Sequence, residues 1–103
     1  MVKVSVFYPS DGGETFDMEY YRTKHMPMVQ RLCGSACKGI AAEGGISGGA
    51  PGSNPPFTAA GHLLFDSAEA FAAAFTPHAD EIMGDIPNYT KIQPIIQIAE
   101  VTL

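Results

Sequence analysis

The sequence predicts an α+β fold of the ferredoxin-like type, in which two helical segments back one face of a four-stranded antiparallel sheet. Two observations lead to this prediction. Four segments alternate apolar and polar residues with the period of a strand, and two segments repeat apolar residues with the period of a helix. Their order is β-α-β-β-α-β, and 103 residues are enough for one small domain, so we expect a single domain over residues 1–103.

The first strand and the first helix occupy the N-terminal third of the chain. VKVSVFY alternates as a strand, and FDMEYYRTKHMPMVQRL, residues 16–32, follows as a helix capped by Asp17. Because Pro27 lacks a backbone donor and collides with the preceding turn, we expect an irregularity between Lys24 and Met28. Steps of four, three and four residues direct one stripe of side chains toward the core: Tyr21, His25, Met28 and Leu32.

The middle of the chain supplies two neighbouring strands. Residues 37–46 are weakly strand-like, and the loop from Gly44 to Pro56 is rich in glycine, proline and serine. FTAAGHLLFD then reads as a strand with apolar residues on both faces. Because the helices cover only one face of the sheet, apolar residues on the open face predict that a second copy packs there. We therefore expect a homodimer built sheet to sheet.

A second helical segment and a last strand complete the pattern. Asp66 and Glu69 form a capping-box-like start for a helix. Its apolar stripe stops at a Thr-Pro pair, where a short further helix begins that ends near Gly84. KIQPIIQIAEV is the last strand, and Pro94 near its start fits an edge position because proline cannot donate a ladder hydrogen bond.

The charge balance and the cysteines limit the possible partners and sites. Six Lys and Arg against eleven Asp and Glu give a formal net charge of −5. Nucleic acids and anionic membranes require a concentrated basic face, so we expect neither as a partner. The start MVKVSVFYP lacks the features of a signal peptide, which predicts a cytoplasmic protein. Cys33 and Cys37 match neither a redox pair nor half of a zinc site, so we interpret them as structural or incidental thiols.

Six segments are informative together: KVSVFYP, FDMEYYRTKHMPM, GGAPGS, AAGHLLFDS, FAAAFTPHADEIMGDIPNYT and IQPIIQIAEV. In this order and spacing they resemble the EthD family, named for a member linked to ethyl tert-butyl ether degradation. The resemblance implies a small dimeric α+β barrel, in a superfamily with cofactor-independent monooxygenases, muconolactone isomerases and polyketide cyclases. It also implies oxidoreductase-like chemistry without a cofactor, on a small hydrophobic, carbonyl or phenolic molecule of a degradation pathway.

Two of the three candidates for catalysis belong to the helical side: His25 and Tyr89. His25 lies on the inward stripe beside the predicted irregularity, where a neutral imidazole can accept a proton from a carbon acid or a phenol. The alternative is a buried histidine that only satisfies a backbone carbonyl. The pattern Y-Y-x-x-K-H-x-P, which matches the family, favours catalysis. Tyr89 follows a turn that directs it toward the helices, where its phenol can orient a substrate carbonyl or simply cap the core.

The third candidate for catalysis, His62, lies in the middle of a strand. Its neighbours Ala60 and Gly61 are small and leave room for a ligand. A histidine in this position is also typical of a core or an interface. The parity of the strand allows His62 to point into the space between two sheets, on the other side from His25, so both interpretations stay open.

Four further side chains are predicted to bind the substrate: Tyr21, Met28, Phe65 and Phe75. No H-x-H, H-E-x-x-H or facial-triad spacing occurs, so we predict no metal site. The glycine-rich loop lacks the Gly-Lys-Ser/Thr ending of a phosphate-binding loop, and we expect it to be a connection or a lid.

The sequence therefore leaves two functions open. The first is a small cofactor-independent enzyme in which a histidine acts as acid and base. The second is a binding or carrier protein that holds a hydrophobic metabolite for an oxygenase system. Catalysis requires at least two titratable groups at one substrate atom, whereas a carrier needs only an apolar pocket with one polar end.

Overall fold

The computed structural model describes residues 1–10 and 13–103, and its centre is a four-stranded antiparallel sheet with the order β2-β3-β1-β4. The strands are β1 (Val2–Pro9), β2 (Gly39–Gly44), β3 (Phe57–Phe65) and β4 (Ile95–Glu100). The α-helices are α1 (Met18–Tyr20), α2 (Met26–Cys33), α3 (Ala68–Phe75) and α4 (Ala79–Gly84). This arrangement confirms the predicted ferredoxin-like α+β fold.

The first helical segment is interrupted by a π-helical turn, Tyr21–His25, between α1 and α2. The N–H of Met26 donates to the carbonyl of Tyr21, five residues earlier, instead of closing an α-helical turn. Pro27 stands in the first turn of α2, where its missing N–H costs least. The predicted irregularity is therefore confirmed.

The π turn changes which side chains of the segment face the core. Tyr21 and His25 are buried as predicted, but Met28 and Leu32 are only half-buried. The wider turn rotates the following helix, because a π turn holds more residues than an α turn. The side chains that continue the buried stripe are Met26, Val29 and Cys33.

The helix caps agree with the prediction at one position and correct it at another. The carboxylate of Asp17 accepts a hydrogen bond from the N–H of Tyr20 at 3.1 Å, as expected of an N-cap. The cap of α3 is Ser67, whose hydroxyl accepts from the N–H of Ala70 at 3.0 Å, and not Asp66. Ser67 has the extended backbone that a capping residue needs.

The two faces of the sheet differ in what covers them. In the β1–β3 ladder Val4 lies opposite Leu63 and Ser5 lies opposite His62, and paired residues of a ladder share a face. The face of Val4 and Leu63 packs against the helices and forms the core. Ser5 and His62 lie on the other, open face. β4 is an edge strand that begins directly after Pro94, as predicted.

Cys33 is buried and Cys37 is half-buried, and both are free thiols. Burial raises the pKa of the Cys33 thiol, which favours the unreactive protonated form.

None of the helices in the described part of the chain has the length and apolar character that a membrane span requires.

Candidate functional site

A cavity of about 300 Å³ lies on the helix-facing side of the sheet. Its wall consists almost entirely of aliphatic and aromatic side chains, and the lining residues with a polar group in the side chain are His25, Tyr8 and Tyr21. Met83 and Ile96 are 40% and 48% exposed, so they mark the rim where the cavity meets solvent. Its remaining lining residues come from the strands and the helices: Val4, Val6, Met26, Val29, Gly61, Leu63, Phe71, Phe75, Ile82 and Ile86.

The buried imidazole of His25 pairs with the half-buried carboxylate of Asp85. The π turn positions the imidazole, and Asp85 caps the 3₁₀ turn Ile86–Asn88 that follows α4. Nδ1 of His25 lies 2.9 Å from Oδ2 of Asp85. Oδ1 of the same carboxylate accepts from the hydroxyl of Tyr20 at 2.7 Å and from the amide of Asn88 at 2.9 Å. Tyr20 and Asn88 therefore hold in place the carboxylate that orients His25.

The protonation states of this pair follow from burial and hydrogen bonding. Burial lowers the pKa of His25, and the hydrogen bond and negative charge of Asp85 only partly oppose this effect. Burial alone would raise the pKa of Asp85, but the hydrogen bonds from Asn88, Tyr20 and His25 outweigh it and hold the pKa below its usual range. At neutral pH the pair is thus a carboxylate and a neutral imidazole. When Nδ1–H donates to Asp85, Nε2 carries the lone pair that accepts a proton.

Two tyrosines, Tyr21 and Tyr89, contact the imidazole of His25, and a third, Tyr8, contacts both of their rings. The hydroxyls of Tyr8 and Tyr89 are 2.5 Å apart. The ring of Tyr21 stacks on His25 with centroids 5.5 Å apart, and the ring of Tyr89 lies at 4.7 Å. Burial raises the pKa of all three phenols. They therefore stay neutral at physiological pH.

The Tyr8–Tyr89 hydrogen bond is expected to contribute measurably to stability. Tyr8→Phe leaves the buried hydroxyl of Tyr89 without this partner, so we expect the free energy of unfolding to fall by about 1–3 kcal/mol. Tyr89→Phe should cost a similar amount. The double variant should cost less than the sum of the two, because no hydroxyl of the pair remains. Urea unfolding of the natural protein, the two single variants and the double variant measures these losses. Strictly additive losses would contradict the expected coupling between the two hydroxyls.

The missing side chain of Gly61 leaves the space in which the hydroxyl of Tyr21 packs against the sheet. Gly61 lies in the middle of β3 on the helix-facing side, opposite Val6. A Cβ atom at this position would collide with the hydroxyl of Tyr21 and approach Sδ of Met26 to 3.3 Å. The free space predicted beside Gly61 is therefore filled by the ring of Tyr21, and it lies on the opposite face from His62.

The structure separates His62 from His25. His62 lies on the open face, where Nδ1 is 2.8 Å from Oγ of Ser5 and Nε2 is 3.0 Å from Oε1 of Glu43. His62 does not line the cavity that contains His25. The expectation that both histidines serve one site therefore does not agree with the geometry, because β3 directs His62 to the other side of the sheet.

The other predicted site residues divide into two groups. Tyr21 and Phe75 line the cavity. Tyr89 contacts the ring of His25 but does not line the cavity itself. Phe65 is fully buried and packs its ring on Phe71 at 5.2 Å, so it belongs to the core and not to the cavity wall. Met28 does not line the cavity either, since the π turn rotates it away.

Sequence reasoning missed Asp85, Tyr8 and Tyr20. Asp85 stands just after a helix in G-D-I-P-N, a pattern typical of an acidic side chain that caps a turn, and this was the available signal. From the sequence, Tyr8 is predicted only as a residue of the first strand. Tyr20 points away from the buried stripe, and only the fold shows that it reaches the carboxylate of Asp85.

Within residues 1–10 and 13–103, no three His, Cys, Asp or Glu side chains are grouped so that they could hold a metal ion.

The fold and the site define a small ferredoxin-like α+β protein with an apolar cavity and a histidine–aspartate pair at its polar end. The family model of the EthD domain matches residues 13–93, and the chain belongs to this family. An EthD-like protein from Ralstonia eutropha JMP134 is 48% identical, with a TM-score of 0.94 over 99% of this chain and 92% of that chain.

Two more distant structures share the fold. An EthD family protein from Bacillus halodurans C-125 has 16% identity and a TM-score of 0.67, and 99% of each chain is covered. A provisionally assigned antibiotic biosynthesis monooxygenase from Bordetella bronchiseptica has 14% identity and a TM-score of 0.61, with 99% of this chain and 96% of that chain covered. A search of the curated proteins gave no significant match.

Proposed function

We propose that this protein is a cofactor-independent proton-transfer enzyme for a small hydrophobic ketone or phenol. The observation that carries the proposal is the His25–Asp85 pair at the polar end of an apolar cavity. A neutral imidazole oriented by a carboxylate is a suitable general base near neutral pH. Two further polar side chains, Tyr8 and Tyr21, line the same cavity, which supports the enzyme over a carrier.

The proposed step moves one proton. Nε2 of His25 removes a proton from the carbon next to the substrate carbonyl, and the electron pair of the broken C–H bond forms an enolate. A tyrosine hydroxyl of the cavity wall donates a hydrogen bond to the enolate oxygen. The protonated His25 is stabilised by the carboxylate of Asp85 and returns the proton to the same or another atom. Such an anion is the starting point for oxygenation, isomerisation or cyclisation.

Deuterium exchange into 2-tetralone tests the proposal. This bicyclic ketone has an acidic C–H next to its carbonyl, and NMR in D₂O follows the replacement of that proton. We expect exchange faster than in buffer, and equally fast with His62→Gln, because His62 lies on the opposite face of the sheet. Saturable binding of 2-tetralone without faster exchange would contradict catalysis. It would favour the carrier function, which the largely apolar wall also fits.

The Asp85→Asn variant should change both the rate and its pH dependence. Asp85 orients His25, and we expect the exchange rate to fall by about 10²-fold when that orientation is lost. Asp85 also opposes the fall in the pKa of His25, so its neutralisation lowers this pKa further. The acid limb of the rate profile should lie below pH 6.5 in the natural protein and move to still lower pH in the variant. An acid limb that moves upward would contradict this assignment. The exposed Asp80→Asn is the matched control.

We also propose that two copies associate through their open sheet faces. Phe7, Leu64 and Ile95 place apolar side chains on this face, and Ile95 is 56% exposed. Sedimentation should give twice the 10.9 kDa chain mass. Ile95→Asp should weaken the dimer, whereas Ile98→Asp, on the helix-facing side of the same strand, should not. A monomer at micromolar concentration would contradict the proposal.

A further inference from the structure

The cavity wall contains no positive charge. The six Lys and Arg side chains of the protein are all exposed, and none lines the cavity. They are Lys3, Arg22, Lys24, Arg31, Lys38 and Lys91. A carboxylate or phosphate that entered the cavity would lose its hydration and meet no cation in return, which is costly in an apolar site.

The polar end of the cavity also disfavours an anion. Asp85 is ionised and lies 2.9 Å behind the imidazole that faces the cavity. A second negative charge there would be repelled by this carboxylate. A cation gains little, because Asp85 already accepts hydrogen bonds from three donors and His25 stands between it and the cavity.

The remaining polar groups suit one uncharged oxygen function. The polar side chains of the wall are the imidazole of His25, whose Nε2 can accept a hydrogen bond or a proton, and the neutral phenols of Tyr8 and Tyr21. The rest of the wall and the rim residues Met83 and Ile96 are apolar. A volume of about 300 Å³ is at the lower end of the range of ligand pockets, which suits a body of one or two fused rings.

We infer that the cavity selects ligands by charge: it binds an uncharged ketone or phenol with a hydrocarbon body, and rejects a carboxylate of the same shape. The polar end of the ligand lies at His25, and its body lies against Phe71 and Phe75. This inference rests on the proposed function only for the orientation of the polar end, since the charge selection arises from the wall.

A matched pair of ligands tests the inference. 2-Acetylnaphthalene and 2-naphthoate have the same ring system and the same number of non-hydrogen atoms, but only 2-naphthoate is charged at pH 7.5. Titration calorimetry or ligand fluorescence gives both dissociation constants. We expect the ketone to bind at least about 100-fold more tightly. Comparable affinities, tighter binding of 2-naphthoate or no binding of the ketone would each overturn the inference.

A cation placed at the rim should change the selection. Ile96→Lys puts an ammonium group at the mouth of the cavity, where the side chain is already half exposed. For this variant we expect the ratio of the affinity for 2-naphthoate to the affinity for the ketone to rise at least about tenfold. Ile98→Lys is the matched control: Ile98 lies on the same side of β4 with the same 48% exposure but does not line the cavity. An equal gain in both variants would show general attraction by surface charge and would overturn the inference.

The outcome also separates this inference from the proposed function. Preferential binding of the ketone without exchange into 2-tetralone would refute the enzyme and keep the charge selection. Exchange into 2-tetralone together with equal binding of 2-acetylnaphthalene and 2-naphthoate would refute the charge selection alone.

Discussion

Replacement of His25 by glutamine is expected to lower the rate of deuterium exchange into 2-tetralone by about 10²–10⁴-fold, the range that a general base contributes. Glutamine is uncharged and can still donate a hydrogen bond to Asp85, but it has no lone pair that accepts a proton near neutral pH. NMR of the ketone in D₂O compares the variant with the natural protein at equal saturation.

Two controls make this result specific to the cavity. His78→Gln changes a histidine that does not line the cavity and should leave the rate unchanged. The melting temperature of the His25→Gln variant shows whether the fold is intact. If the variant retained full exchange and binding but melted several degrees lower, His25 would be a packing residue and the proposed mechanism would be wrong.

The second large effect is expected at Gly61. Gly61→Ala places a methyl group where the hydroxyl of Tyr21 lies, in the tightly packed centre of the helix-facing side. Overpacking of this kind costs about 1–3 kcal/mol of unfolding free energy, which corresponds to a melting temperature lower by roughly 5–20 °C in a domain of this size. Calorimetry measures the shift.

A second substitution tests the cause of this effect. Tyr21→Phe removes the hydroxyl that the new methyl group would meet, so the double variant Gly61→Ala/Tyr21→Phe should recover part of the lost stability. Gly49→Ala is the control, since a Cβ atom at Gly49 meets nothing within 4 Å and should change stability by less than about 0.5 kcal/mol. A double variant less stable than Gly61→Ala alone would contradict the steric explanation.

The sequence predicted the fold well because local periodicity determines it. The alternation in VKVSVFY and the helical stripe that contains Tyr21 and His25 both appear in the structure. The irregularity at Pro27 was predictable, since a missing N–H has a local consequence. Its form as a π turn was not. The extra residue of that turn is the reason that Met28, which is predicted to bind the substrate, lies outside the cavity wall.

The candidate site was harder to predict because its parts come from distant segments. His25 and Asp85 are 60 residues apart, and Tyr8 and Tyr89 are 81 residues apart. Periodicity shows that a side chain faces inward but not which partner it meets there. The position of His62 depended on the register of β3, which parity alone left open between two faces.

The central claim is that His25 presents an unprotonated Nε2 to a ligand in the cavity. Long-range ¹H–¹⁵N correlation of ¹⁵N-labelled protein at pH 7, with and without saturating 2-naphthol, tests it directly. We predict a proton on Nδ1, an unprotonated Nε2, and a shift of the Nε2 resonance when the phenol binds, because the phenol donates to that atom. A proton on Nε2, or an Nε2 resonance that does not change at saturation, would contradict the account.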